Sequence, residues 1–445
     1  MPLPPSPTTG SAAPLPRAIW ALGFTSLLMD VSSEMIHSLL PVFLVAGLGA
    51  SALMVGLIDG AAEALALVVK VFSGALSDAM GRRKPLAVLG YALGAISKPL
   101  FALAGTPGWV LGARLLDRLG KGIRGAPRDA LVADIAPPHQ RGAAFGLRQA
   151  LDTVGAFLGP LLAIALMLLW ANDFRAVFAV AVIPAVLSVA VLVLWVREPP
   201  MPAATAATAT AAATVNHAAA ASGSTNEPLA GPLDDPTDAV HTPTRLPPWH
   251  RERLAQLPSA YWWVVGIGAI FTLARFSEAF LVLRVQQGGL GLAWAPLVMV
   301  AMNAVYALAA YPLGRLADHV SHRHLLLAGI ALLVLADLAL AAAATGWLAW
   351  LGIALWGLHM ATTQGLLATM VADTAPTDLR GTAFGLFNLA SGLSLLVASV
   401  LAGGLWDGYG ASATFLAGAA LAALAGLVLL ARRAQMDGLK IQGLE

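Results

Sequence analysis

LVADIAPPHQRGAAFGL at residues 131–147 returns as MVADTAPTDLRGTAFGL at residues 370–386, and this recurrence decides the fold. Asp134 aligns with Asp373, Pro137 with Pro376 and Arg141 with Arg380, ahead of a repeated Gly-x-Ala-Phe-Gly-Leu run. At almost the same offset, GALSDAMGRRKPL (74–86) pairs with GRLADHVSHRHLL (314–326), and Ser33-Glu34 pairs with Ser277-Glu278. Self-similarity at a fixed offset marks a duplicated unit. Each half therefore holds the same arrangement of elements in the same order.

Those elements are membrane spans. The chain has 445 residues, of which 58% are hydrophobic and only 11% charged, and its mean hydropathy is +0.77. Soluble chains average about 45–50% apolar and about 25% charged residues. A membrane helix needs about 20 apolar residues. Twelve runs meet that need, at 17–47, 52–76, 85–104, 108–133, 141–170 and 173–196, then 258–287, 292–314, 324–344, 346–373, 381–404 and 411–431. The first is too long for a secretory signal and is interrupted by Asp30 and Glu34, so it reads as a retained helix. The expected fold is an all-α integral membrane protein of twelve helices in two parallel six-helix repeats. Residues 1–16 read as a disordered tail, 17–196 and 258–433 as the two bundles, and 434–445 as a C-terminal tail. The Pro/Ala/Thr-rich stretch 197–257 has little to bury and reads as a flexible linker.

Loop charge orients the spans. The loops at 77–84, 135–141, 315–324 and 375–380 carry Arg82, Arg83, Lys84, Arg141, Arg315, Arg323 and Arg380, whereas those near 47–51, 104–108, 287–292 and 344–347 carry no Lys or Arg. By the positive-inside rule the first set is cytoplasmic. Both termini and the linker then face the cytoplasm. The net charge of +2 gives no footing for nucleic acid, and the lack of cysteine removes disulfides, thiolate metal sites and cysteine nucleophiles. No His-Glu-x-x-His, Gly-x-Ser-x-Gly or Walker loop occurs, so neither an intramembrane enzyme nor direct ATP coupling is expected. No cofactor and no bound metal are expected either.

Charges inside the spans are numerous. A charge at the bilayer centre costs at least about 2.5–3.5 kcal/mol on insertion scales. Yet the first half carries Asp30, Glu34, Asp59, Glu63, Lys70, Lys98, Arg114, Asp117, Arg118, Lys121, Arg124, Arg128, Arg148 and Asp152 within its spans. The second half is far poorer, with Arg275, Glu278, Arg284 and Asp337. Asp30, Ser33, Glu34 and His37 share one helical face, and Arg114, Asp117, Arg118, Lys121 and Arg128 share another. Such faces point to a partner helix or a wet cavity. Arg148 and Asp152, four residues apart, read as a structural ion pair, and His37 and His359 read as hydrogen-bonded packing residues first and as functional candidates second. Asn303, Gln364 and Asn388 are read either as substrate contacts or as interhelical bonds.

With these motifs in hand, the chain resembles the major facilitator superfamily over nearly all of its length outside the tail and linker, and in particular its bacterial drug/proton antiporter-like members. The loop after the second span resembles the family's first signature, with Gly74, Leu76, Asp78, Gly81, Arg82, Arg83 and Leu86 in register. The second copy keeps Gly314, Leu316, Asp318, Arg323 and Leu326 but has Ser321 where the glycine belongs. These positions are implied to gate the cytoplasmic side. Arg118, Gly122, Gly125 and Ala126 resemble the second signature, with Lys121 and Arg124 as departures from it. Gly146, Gly155, Gly159 and Pro160 resemble an antiporter signature whose closing glycine pair is here Ala163 and Ile164.

The resemblance implies a secondary transporter of a small molecule, working by alternating access in the bacterial inner membrane, surrounded by lipid and monomeric. The expected mode is proton-coupled export. Glu34, shared with Asp30, is the expected proton carboxylate, with Arg118 as its electrostatic regulator. Arg114, Lys121, His37, Glu63, Glu278, Gln364 and Asn388 are the expected substrate-cavity residues. Two alternatives stand beside it: a proton symporter importing an anionic metabolite, suggested by the basic face around Arg114 and Lys121, and a membrane sensor without turnover.

Overall fold

A computed structural model describes residues 14–80, 82–198, 256–317, 319–343, 346–376 and 379–431. The described residues within 14–197 and 257–431 belong to the first of two units into which the chain divides. Most of both tails and nearly all of the linker read from the sequence lie outside the described residues.

The first unit is built from helices and, among the described residues, contains no strand. In the first half these are α1 (Arg17–His37), α2 (Ala52–Met80), α3 (Lys84–Ala102), α4 (Pro107–Ile135), α5 (Arg141–Leu169) and α6 (Phe174–Trp195). A short turn at Leu40–Val42 and a π-helical turn at Phe43–Gly47 prolong the α1 span. The second half repeats the order. Its α7 is in two segments, Ser259–Leu273 and Ala279–Gln287, followed by α8 (Leu297–Ala317), α9 (His322–Ala341), α10 (Gly346–Thr374), α11 (Arg380–Tyr409) and α12 (Ala411–Ala431). Twelve spans in two six-helix repeats is the arrangement read from the duplicated motifs. Nine of these helices are long and apolar enough to cross a membrane on length and composition alone, among the described residues. The charges of α4 keep it from that group, the interruption keeps α7 from it, and α10, with His359, Thr362, Thr363 and Gln364 along it, also falls outside. Outward-facing Leu169, Leu194 and Leu308 are largely exposed, as lipid-facing side chains are.

The interruption of α7 is the main departure from the sequence reading, which has one run over 258–287. Its cause is local and tertiary together. Backbone N–H of Ser277 donates to Ser399 Oγ on α11 at 3.2 Å rather than to a carbonyl of its own helix, and Ala279 N–H turns back to Ser277 Oγ at 3.1 Å. A serine that satisfies backbone donors in this way competes with the helical ladder.

Two close helix contacts organise the unit. Within the first half, α5 lies on α1 through Gly155 and Gly159. A methyl group on Gly159 would sit 2.7 Å from the Val31 carbonyl oxygen and 2.8 Å from Glu34 Cβ. Between the halves, α2 runs along α11, where a methyl group on Gly403 would fall 2.5 Å from the Ala52 carbonyl oxygen. Close backbone approach of this kind is how membrane helices gain dispersion contacts without a hydrophobic driving force. Gly159→Val must push α5 off α1. It is expected to cost about 1–3 kcal/mol, read as a lower unfolding temperature in detergent.

At the end remote from the basic loops, Asp407 of α11 caps α2 from the other half. Its two carboxylate oxygens accept from Ala52 N–H and Leu53 N–H, each at 2.9 Å. These are donors of the first turn that α2 cannot satisfy itself. Asp407→Ala should remove about 1 kcal/mol of capping. If the cap exists in only one transport state, that state should lose population about fivefold. The readout is modification of a cysteine introduced at Ala50, which should be faster in the variant.

Candidate functional site

The charged faces of α1, α2 and α4 converge on a cavity of about 620 Å³ between the two halves. This size suits a drug-sized molecule. From the first half its wall includes Glu34 and His37 of α1, Asp59 and Glu63 of α2, and Arg118 and Lys121 of α4. From the second half it includes Arg275, Phe276, Ser277 and Glu278 at the α7 interruption, with Asn303, Gln364, Phe387 and Asn388. Six of the seven residues read as cavity-lining stand in this wall. The seventh, Arg114, lies behind it, 1% exposed.

Asp59 is the hub. Its Oδ1 accepts from Arg114 Nη2 at 2.7 Å, and its Oδ2 accepts from Ser277 Oγ across the junction of the halves. His37 bridges two carboxylates, with Nδ1 3.6 Å from Glu34 and Nε2 3.7 Å from Asp59. Arg118 Nη1 lies 3.1 Å from Glu63, and Arg114 Nη2 lies 3.7 Å from it. Arg118 is therefore paired with α2. It makes no ion pair with Glu34, the residue with which the sequence reading joined it. Asp30 stands one turn before Glu34, with its Cβ against Gly155 and away from the cavity wall.

Beneath this layer is a second pair that holds α3 to α4. Lys98 Nζ donates to Asp117 Oδ1 at 2.6 Å and to Ser33 Oγ at 3.0 Å. Asp117 also has Arg118 at 3.8 Å and Arg114 at 4.0 Å. Nearer the basic end, Arg148 donates to Asp152 at 2.9 Å, and Arg128 contacts Asp129 at 3.1 Å. Arg124 stacks its guanidinium 4.8 Å from the Tyr91 ring. His359 Nδ1 is 2.9 Å from the Gly329 carbonyl oxygen, in the packed core of the second half.

His37, Asp59 and Glu63 bring ligand atoms within 4.8 Å of one another. A metal ion there would compete with Arg114 and Arg118, which already hold the same two carboxylates. Cation-rich surroundings of this kind disfavour a divalent ion.

The motif positions sort by location. Gly155 and Gly159 form the α1–α5 contact, and Pro160 follows within α5. Gly146 and Gly314 face open space, whereas Gly74 meets Ala126 at ordinary contact distance. Arg83 Nε lies 2.6 Å from Asp134, tying the loop after α2 to the end of α4. Arg82 is exposed, and Arg323 Nη2 donates to the Leu430 carbonyl at 3.3 Å. Gly81, Asp318 and the side chain of Asp78 lie outside the described residues.

The Ser277 link to Asp59 and the Asp407 cap were not read from the sequence. Ser277 had a signal, since it repeats Ser33. Asp407 had none, because a carboxylate at a helix end is ordinary.

Comparison with known proteins agrees with this architecture. The sequence profile of the Major Facilitator Superfamily matches residues 22–301 and 292–441. An "uncharacterized MFS-type transporter" of Methanocaldococcus jannaschii is 32% identical over 425 residues, covering 94% of this chain and 95% of the relative. A multidrug resistance protein, MdtH, of Photorhabdus laumondii is 35% identical over 140 residues, covering 31% of this chain and 34% of that protein. Among solved structures, the nucleoside transporter NupG superposes with a TM-score of 0.72 at 12% identity, covering 93% of this chain and 99% of that one. A bacterial homologue of the human lysosomal transporter Spinster gives a TM-score of 0.68 at 16% identity, covering 97% and 99%. At such identities the superpositions speak for the fold alone.

Proposed function

The chain belongs to the Major Facilitator Superfamily, and from that premise we propose that its central cavity binds a small molecule for proton-coupled export. Membership itself makes the protein a multi-pass secondary transporter of a small molecule and not an enzyme. The observation that carries the finer reading is the placement of Glu34, His37, Asp59 and Glu63 in the wall of a cavity shared by both halves. Carboxylates at that place feel two opposed effects, desolvation and neighbouring cations, and rocking of the halves alters both. Proton affinity then follows the transport state. Glu34 is the coupling carboxylate in this scheme, because Asp59 and Glu63 are held directly by Arg114 and Arg118. Arg118 acts through Glu63, and His37 relays between Glu34 and Asp59. Export is supported by the glycine contact of α5 on α1 and by the partial match to a multidrug resistance protein. The basic loops support a topology with Arg82, Arg83 and both termini on the cytoplasmic side of a bacterial inner membrane.

Transport assays in inverted membrane vesicles test the direction. Imposing an acidic interior should drive fluorescent substrates into vesicles that contain the protein, and an uncoupler should abolish uptake. Uptake driven instead by an alkaline interior would establish symport and overturn export.

A further inference from the structure

The interruption in α7 presents Arg275, Phe276, Ser277 and Glu278 to the cavity in one non-helical stretch. Such backbone persists at membrane depth only where it is buried in protein or lines a water-filled space. Ser277 is committed to Asp59, Ser399 and Ala279. Its charged neighbours are not committed. Among the described residues, neither the Arg275 guanidinium nor the Glu278 carboxylate has a hydrogen bond or ion pair. Across the cavity, Lys121 of α4 is in the same condition and is exposed to the cavity. The other cavity charges are engaged: Glu63 with Arg118, Asp59 with Arg114, and Glu34 with His37. Two cations and one carboxylate are thus left facing a common space, drawn from both halves. Phe276, Phe387 and Met299 add an apolar surface beside them.

We propose that the substrate is an amphoteric organic molecule, its anionic group held between Lys121 and Arg275 and its cationic group against Glu278. The apolar body of the molecule rests on Phe276 and Phe387. A purely anionic substrate would satisfy the two cations but bring a like charge towards Glu278 and draw Arg275 from beside it. A purely cationic one would meet Lys121 and Arg275 together. In a site of low dielectric either mismatch is costly, and a group of each sign removes both. Because Lys121 and Arg275 belong to opposite halves, the anionic group also bridges the parts that rock. Binding therefore favours the closed cavity, which couples occupancy to the transition.

This assignment rests on the cavity being the transport site, and the experiment separates the two. The full chain in detergent is titrated with aromatic probes on shared phenyl, biphenyl and naphthyl skeletons, each as an amino acid, carboxylate, amine and alcohol. Unfolding temperature is the readout. The amino acids should stabilise the chain most, and Lys121→Gln, Arg275→Gln and Glu278→Gln should each weaken their apparent affinity at least about tenfold. The Glu278→Gln variant should meanwhile tolerate the plain carboxylates better than the parent does. Equal stabilisation by carboxylates or amines in the parent chain would overturn the amphoteric assignment and leave the transport site standing. No stabilisation by any probe would overturn it as well. Stabilisation that survives Ser391→Trp, which fills the cavity, would count against the cavity reading itself.

Discussion

Asp117→Leu is expected to destabilise the first half by about 3–5 kcal/mol, the usual consequence of removing one partner from a buried ion pair. The carboxylate is 3% exposed and its Lys98 partner 1% exposed. Without it, Lys98 Nζ keeps only Ser33 Oγ, and Arg114 and Arg118 lose a shared neighbour. The unfolding temperature of the full chain in detergent should fall sharply. Lys98→Met on top of Asp117→Leu should restore much of the loss, because a buried pair replaced by apolar side chains is often neutral or better. A double variant as unstable as the single would mean that Arg114 and Arg118, rather than Lys98, are what Asp117 compensates.

The contrast between that pair and the cavity charges explains what the sequence made legible. The duplicated 131–147 and 370–386 motifs identify two like halves, and twelve apolar runs then leave little freedom in the fold. Helical spacing put Glu34 with His37, and Arg118 with Lys121, on inward faces, because a charge has nowhere else to go in a membrane. Spacing along one helix says nothing about rotation against its neighbours, however. So the partner of Arg118 proved to be Glu63 on α2 rather than Glu34 on α1. Arg148 and Asp152 were easier, since both stand on one helix, four residues apart. The α7 interruption was hidden for a different reason. Its sequence, LARFSEAF, is compatible with a helix, and it unwinds because Ser399 and Asp59 offer Ser277 better partners. Asp407 likewise gains its meaning only when α2 arrives beside it.

Glu34→Gln should leave the chain folded, since Glu34 borders the cavity and its nearest charged partner is His37 at 3.6 Å rather than a buried arginine. The amide keeps the shape and much of the hydrogen bonding of the carboxylate but cannot exchange a proton. Substrate should still bind and still exchange between the two faces of the membrane when no gradient is present, because rocking requires no titration of an amide. Accumulation against a concentration gradient should fail. Asp30→Asn, away from the cavity wall, should have a smaller effect. The direct measurement is substrate accumulation in proteoliposomes under an imposed pH gradient, with exchange at equal pH recorded on the same preparation. Proton coupling through Glu34 predicts normal exchange with gradient-driven accumulation reduced to the level of protein-free liposomes. Accumulation by Glu34→Gln protein at the parent rate would contradict it and move the coupling site to Asp59 and Glu63.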